Sequence, residues 1–372
     1  MKRVLVGILI FLSLGSLALA QGLLPWPEEK ANEWYSHQPW LLGSNYIPAT
    51  AINQLEMWQA GTFDPQRIDL ELGWAQALGM NTMRVFLHDL LWQQDPDGFK
   101  QRLNTFLTIA DHHKMRPIFV LFDSCWDPYP KLGAQHPPAS GVHNSGWVQS
   151  PGAEGLRDAA QYPRLEAYVR GVVGAFGHDP RVLAWDIWNE PGSRNTDSYG
   201  KSELSNKRDL VLSLLPKAFE WARAARPVQP LTCGLWEGDW SAASKMDPIT
   251  KVEFTLSDVI SFHNYDPPPA FERAVKSLVG YHRPILCTEY MARGNGSTFQ
   301  GILPIAKQYK VAAINWGLVA GKTQTYLPWD SWQHPYTDHP PAIWFHEVFR
   351  TDGTPYKVEE TEFIRRVADQ AR

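Results

Sequence analysis

The chain has 372 residues, 44% of them apolar, which is enough to bury a substantial core in one large domain or two smaller ones. Its formal net charge is −4 with both signs scattered, so no basic face marks a nucleic-acid partner and no polybasic run marks an anionic membrane. The Cys count, three, is odd, which excludes a disulfide framework as the stabilising device; Cys125, Cys233 and Cys287 lie in or just after apolar runs and are expected to be buried, unreactive thiols.

From the N-terminus, Lys2 and Arg3 precede an apolar run from Val4 to Leu14, and Ala18-Leu19-Ala20 stands ahead of Gln21. This is the pattern of a cleavable secretory leader over 1–20, with the mature protein covering 21–372, released outside the cell or into a periplasm and carrying no membrane anchor after cleavage. Beyond it, short apolar or β-branched runs predict strands at 41–46, 81–88, 116–122, 182–188, 231–235, 259–263, 284–288 and 311–316. Between them, helical periodicity predicts helices such as 68–78, 98–114, 162–176, 207–226 and 298–308. Eight alternating βα units without a low-complexity linker predict an α/β fold in a single domain, a closed (β/α)8 TIM barrel. Two connections, 123–160 and 317–340, exceed ordinary βα loops and follow strands at the end where barrel enzymes carry their sites. Both are rich in aromatic residues, including Trp126, Trp147, Trp329 and Trp332. The chain holds 17 Trp, and a flat aromatic face suits the apolar face of a sugar ring, although Trp also fills cores.

Chemistry concentrates in two strands. Trp185-Asp186-Ile187-Trp188-Asn189-Glu190-Pro191 is an apolar strand that ends in Asn-Glu, where Pro stops the ladder because it has no N–H to donate. Pro284-Ile285-Leu286-Cys287-Thr288-Glu289-Tyr290 is another apolar strand ending in a single Glu. Strands four and seven of an eight-stranded barrel face each other, so Glu190 and Glu289 meet across the mouth, as a retaining glycosidase requires of its two carboxyl groups.

These residues resemble clan A of the glycoside hydrolases, most of all family 5, which contains cellulases, mannanases and related β-glycanases. The likeness rests on Gly79-Met80-Asn81 with Arg84 on strand two, Asn189-Glu190-Pro191 on strand four, His263-Asn264-Tyr265 on strand six, Glu289 on strand seven and Trp316 on strand eight. It implies Glu190 as general acid/base and Glu289 as nucleophile in retaining hydrolysis of a β-linked polysaccharide or oligosaccharide. It further implies that Arg84 and Tyr265 hold Glu289, that Asn189 meets the sugar 2-OH, that His263 orients the network and that Trp316 floors the sugar site. Trp126, Trp236 and Trp329 complete the expected sugar-binding set. Strand three departs from the family pattern: it ends Phe122-Asp123-Ser124-Cys125-Trp126, where many members carry a His.

Other chemistries lack their marks. Gly317-Leu318-Val319-Ala320-Gly321-Lys322-Thr323 has three residues between its glycines where a phosphate loop needs four, and the prolines that follow cannot open the required helix. There is no Gly-x-Ser-x-Gly elbow, and the adjacent His112 and His113 point in different directions on a helix. No metal or other cofactor is expected, the partner is a carbohydrate, and the expected state is a monomer. A transglycosylase, or a sugar-binding barrel without turnover, would share the same scaffold.

Overall fold

The computed structural model describes residues 24–369; the leader expected at 1–20 lies outside the described residues. Eight parallel strands, β1 (Leu42–Asn45), β2 (Thr82–Phe86), β3 (Ile118–Asp123), β4 (Ala184–Asn189), β5 (Leu231–Thr232), β6 (Ile260–His263), β7 (Ile285–Glu289) and β8 (Ala312–Asn315), fall within or within one residue of the eight expected spans. They pair in the order β5-β4-β3-β2-β1-β8-β7-β6. The two ends of that row meet where the His263 N–H donates to the Leu235 carbonyl at 2.8 Å and the Leu235 N–H to the Ser261 carbonyl at 2.9 Å, so the sheet is a nearly closed barrel.

Helices separate the strands, and their starts are written locally. Asp64-Pro65, Asp95-Pro96 and Asp247-Pro248 open the helices Pro65–Ala77, Pro96–His112 and Pro248–Leu256, with each Asp carboxylate accepting a first-turn N–H while Pro fills a position whose N–H has no helical partner. The expected helices appear as Pro65–Ala77, Pro96–His112, Tyr162–Phe176, Lys207–Ala224 and Phe299–Gln308. Two terminal helices were not anticipated. Glu28–Ser36, with Trp26 and Ala31 buried, closes the barrel's lower end against Leu41, Ile118, Leu183, Ala184, Val259, Leu286, Ala312 and Ile314. Val358–Asp369 packs beside Phe299–Gln308, with Lys307 Nζ donating to the Val367 carbonyl at 2.8 Å. No helix among the described residues is long and apolar enough to cross a membrane.

Above the apolar lower layer the barrel interior turns polar. Ser44, Arg84, Asp186, Thr232, Ser261 and Asn315 are all fully buried, and they bond among themselves: Thr232 Oγ1 lies 2.7 Å from Ser261 Oγ, and Asn315 Nδ2 donates to Ser44 Oγ at 3.1 Å. Buried polar groups at this level are tolerated because they are paired. The connection after β8 is longer than expected. It runs from Trp316 to Lys357 before the last helix begins, rather than ending near residue 340. Its extension past 340 is fixed by Arg293, whose guanidinium donates to the carbonyls of Trp344, His346 and Glu347 and to the Glu360 carboxylate, the last at 2.6 Å from Nη2.

Arg293 and Glu360 keep 3% and 5% of their side chains exposed, so removing one strands a buried charge. Arg293→Met is expected to lower unfolding free energy by about 3–5 kcal/mol, read from urea unfolding curves. A loss within error of zero would show that the tail is held by other contacts.

Candidate active site

At the upper end of the barrel the strand termini bring together residues far apart in sequence. Arg84, wholly buried inside the barrel, donates from Nε to Asp186 Oδ2 at 2.9 Å, from Nη1 to Asn45 Oδ1 at 2.9 Å and Glu289 Oε1 at 2.7 Å, and from Nη2 to Asn189 Oδ1 at 2.7 Å. One rigid fork therefore orients four side chains from three strands. The Tyr265 hydroxyl donates to Glu289 Oε2 at 2.6 Å, so both oxygens of Glu289 are held. Local backbone features aim the two acids. On β7 the register steps from Phe262↔Cys287 to His263↔Glu289, and this extra residue re-aims Glu289 away from the side that strict alternation with Cys287 would give it. Glu190 follows β4 at φ +43°, a left-handed conformation rare outside Gly and one that surrounding structure must enforce.

His263 stands between the acids, with Nδ1 2.9 Å from Glu190 Oε1 and 3.6 Å from Glu289 Oε2. Its Nε2 has no partner among the described residues, so a proton on Nδ1 gives the pair its donor and leaves Nε2 bare. Gly234 makes room for the ring: a Cβ there would stand 3.0 Å from Nε2. The departure on strand three has its own solution. The Cys125 thiol donates to Glu190 Oε2 at 3.3 Å, and Asp123 accepts from Asn189 Nδ2 at 2.9 Å, Cys125 N–H at 3.0 Å, Trp147 Nε1 at 2.6 Å and Gln54 Nε2 at 3.2 Å. All three cysteines are free and buried, as expected, but Cys125 is part of the site rather than an idle core thiol.

A cleft of about 1020 Å³ lies above these groups. Its lining contains Asn189, Glu190, His263, Tyr265, Glu289, Trp316, Trp126, Trp236 and Trp329, so nine of the ten expected site residues border one space and the tenth, Arg84, sits directly beneath. Among the tryptophans, Trp58, Trp185 and Trp188 are buried core, whereas Trp126, Trp236, Trp316, Trp329 and Trp332 are half-buried at the cleft. Trp147, expected on the loop wall, does border the cleft, but it is only 3% exposed, and it braces Phe86 and Trp316 edge-on while its indole N–H is spent on Asp123. Sequence reasoning missed Asn45, Asp123, Asp186, His143 and His346. Asn45, Asp123 and Asp186 had a signal, being polar residues inside or ending apolar strands; the two histidines lie in irregular loops and had none.

The family model for cellulase, glycosyl hydrolase family 5, matches residues 74–334. The chain belongs to this family. It is a glycoside hydrolase, and the non-catalytic barrel reading falls away. No curated protein matches it in sequence. Among solved structures, the chain is similar to an endo-β-1,4-mannanase from Thermotoga petrophila, at 13% identity and TM-score 0.56 over 91% of this chain and 78% of that one. It is also similar to an exo-β-1,4-mannosidase from Opitutaceae bacterium strain TAV5, at 18% identity and TM-score 0.55 over 89% and 60%. A third, a GH5_18 protein from Streptomyces cattleya in complex with Manβ1-4GlcNAc, gives 13% identity and TM-score 0.58 over 90% and 80%. At such identities the likeness establishes the fold.

Within this family 5 hydrolase, burial pushes the Glu190 carboxyl up to about 6, against Arg84 and the Cys125 thiol, which pull it down. Burial also raises Glu289, opposed by the His263 ring and the Arg84 guanidinium. Burial lowers His263 to about 4, so the ring is neutral near neutral pH, and Arg84 is the cation beside Glu289 that favours its ionised form. Glu190, 18% exposed to the cleft, has no cation bonded to its carboxyl, so burial favours its protonated form. The two missed histidines are neutral as well, lowered by burial, His143 to about 4 and His346 well below the usual imidazole value. Each donates Nδ1–H to a carbonyl, Leu327 and Met291 respectively, which fixes Nε2 as a bare acceptor.

Arg84→Lys keeps a charge but cannot reach four acceptors in three directions. It is expected to lower kcat/KM on an aryl β-glycoside on the order of 10²-fold, the scale of losing a preorganised donor at a reacting centre. Activity within threefold of the wild type would mean that a point charge alone suffices.

Proposed function

We propose that this hydrolase is a retaining β-glycosidase in which Glu289 is the nucleophile and Glu190 the general acid/base. The observation that carries the reading is their separation. One carboxylate oxygen from each, together with a His263 nitrogen, lie within 4.8 Å of one another. Retaining enzymes hold their carboxyls about 5 to 5.5 Å apart, and inverting enzymes about 6.5 to 9.5 Å apart to seat a water between them.

The chemistry then follows from the two environments. Glu289, ionised by Arg84 and steadied by Tyr265, attacks the anomeric carbon as the glycosidic C–O bond breaks, and the proton on Glu190 passes to the leaving oxygen. Neutralising Glu289 in the covalent ester removes a negative charge beside Glu190, which now takes a proton from water as that water displaces Glu289 and regenerates both groups. Asn189 has its carbonyl oxygen committed to Arg84 and one amide N–H to Asp123, which leaves its second N–H, with only a long 3.9 Å contact to Cys125 Sγ, for the sugar 2-OH. Trp316 serves as the floor of the reacting subsite, and Trp126, Trp236 and Trp329 offer further aromatic faces whose gain is the release of water from sugar C–H patches. Mannose-containing β-1,4-linked glycans are the first substrates to try, since the similar structures bear names of that kind. Export is part of the same proposal: the mature N-terminus, read by Edman degradation, is expected at Gln21.

Glu289→Ala is expected to abolish turnover, and added azide to restore part of it with an α-glycosyl azide as product, identified by NMR. A variant that keeps most of its activity without azide would remove Glu289 from the nucleophile's role. For the wild type, kcat/KM should be bell-shaped in pH. Glu190 must carry its proton, so activity is expected to decline above an apparent pKa of about 6, and to decline on the acid side as Glu289 becomes protonated. In Glu190→Gln, measured on a dinitrophenyl glycoside whose leaving group needs no proton, the alkaline limb should vanish from the first step; its persistence would assign that limb elsewhere.

A further inference from the structure

One side of the cleft is walled. Above β8, β1, β2 and β3 the connections after β3 and β8 are tied to each other: Asn144 N–H donates to the Thr323 carbonyl at 2.9 Å, His143 N–H to Ser331 Oγ at 2.9 Å, and Tyr336 N–H to the Gly141 carbonyl at 2.9 Å. Trp126 and Trp332 stack with centroids 5.8 Å apart and planes at 24°. Tyr199, from the connection after β4, meets Trp332 edge-on at 5.4 Å and donates its hydroxyl to the Ser145 carbonyl at 2.6 Å, buttressing the wall from behind. Past Trp316 and Trp147 the free space falls to about 20 Å³, walled by Tyr46, Ile47, Phe86 and Glu347. A gap of that size holds one water and no sugar ring. On the opposite side, over β4 to β6, the cleft runs out to solvent past exposed Arg194, Asp197, Asp239, Asp266 and Arg273.

The chemistry fixes which end of a substrate lies on which side, an argument that rests on the assignment of Glu289 and Glu190 above. The sugar that is attacked lies at Glu289 over Trp316, on the walled side. The leaving group lies beyond Glu190, on β4, toward the open side. We propose that the walled side is a closed glycone pocket, so that the enzyme accepts the non-reducing end of a β-linked chain and removes one sugar at a time. The wall, where His346 stands 5.4 Å from His143, also offers what a chain terminus needs. His346 Nε2, on a fully buried ring against Tyr265 and Trp329, is an acceptor without a partner among the described residues, and it borders the cleft. A terminal sugar carries a free hydroxyl that can donate to it, whereas the substituted oxygen of an internal sugar has no proton to give.

The test uses borohydride-reduced manno- and cello-hexaose with the wild-type enzyme, and two labelled tetrasaccharides of each series with Glu289→Gln, which binds without turnover. In one tetrasaccharide the label is at the reducing end; in the other a bulky ether blocks the terminal non-reducing sugar. The expected early products are free monosaccharide and a reduced chain shortened by one sugar. The end-blocked tetrasaccharide is expected to bind about tenfold or more weakly than its partner. Disaccharides or longer fragments released early from the middle of the hexaose, or equal binding of the two labelled forms, would overturn the closed pocket. If the wild type cleaves neither series, the hydrolytic assignment fails on these sugars, and the binding comparison still decides the end-selectivity; binding of neither form overturns both.

Discussion

A guanidinium group shut away from water inside the barrel is the constraint on which the site depends. Arg84 cannot lose its proton, so the chain must satisfy a permanent charge where the dielectric is low, and it does so with Asp186 and Glu289 as counter-ions and Asn45 and Asn189 as neutral acceptors. Burying this charge is costly taken alone. What it provides is direction, because a planar fork with fixed donor angles holds each partner in one rotamer. The nucleophile candidate and the residue beside the acid/base candidate are thereby set relative to one another by a single side chain.

The same arrangement separates two chemically identical carboxyl groups. Glu289 has a cation and a hydroxyl on its two oxygens, while Glu190 has a neutral imidazole and a weakly donating thiol. Burial pushes both toward the protonated form, but Glu289 has the Arg84 guanidinium bonded to one of its oxygens, whereas Arg84 acts on Glu190 only through space. That difference is what acid and nucleophile roles require, and it holds because burial also keeps His263 neutral. Were the imidazole protonated, it would stabilise both carboxylates and erase the distinction.

Around this centre the aromatic residues divide the labour by exposure rather than by position in the chain. Trp147 and Trp126 lie on one loop, yet the first is spent bracing Trp316 and holding Asp123, and the second faces the cleft and stacks on Trp332. The loops after β3 and β8 are rigid in the physical sense that their main-chain donors and acceptors find one another across the cleft wall. A wall built this way has few alternatives to its observed shape, which is why it constrains what enters.

The amino-acid sequence by itself determined the barrel and the two acids. Short apolar or β-branched runs, helical periodicity between them and strands ending in Glu190 and Glu289 are local signals, legible because backbone propensity and burial act over a few residues. Arg84, Tyr265 and Trp316 were legible through their order along the chain, one to a strand. The tertiary structure alone decided the rest. Arg84 meets Glu289 across 205 positions and Asn189 meets Asp123 across 66, and no local periodicity encodes such pairs. The extra residue on β7 and the left-handed turn at Glu190 set where the acids point, and strict alternation would have aimed Glu289 wrongly. The plug of Glu28–Ser36 under the barrel, the buried acceptors of His143 and His346, and the closed side of the cleft arise from irregular or terminal segments. Their conformations are dictated by what they pack against, so they became visible only once the strands had brought those surfaces together.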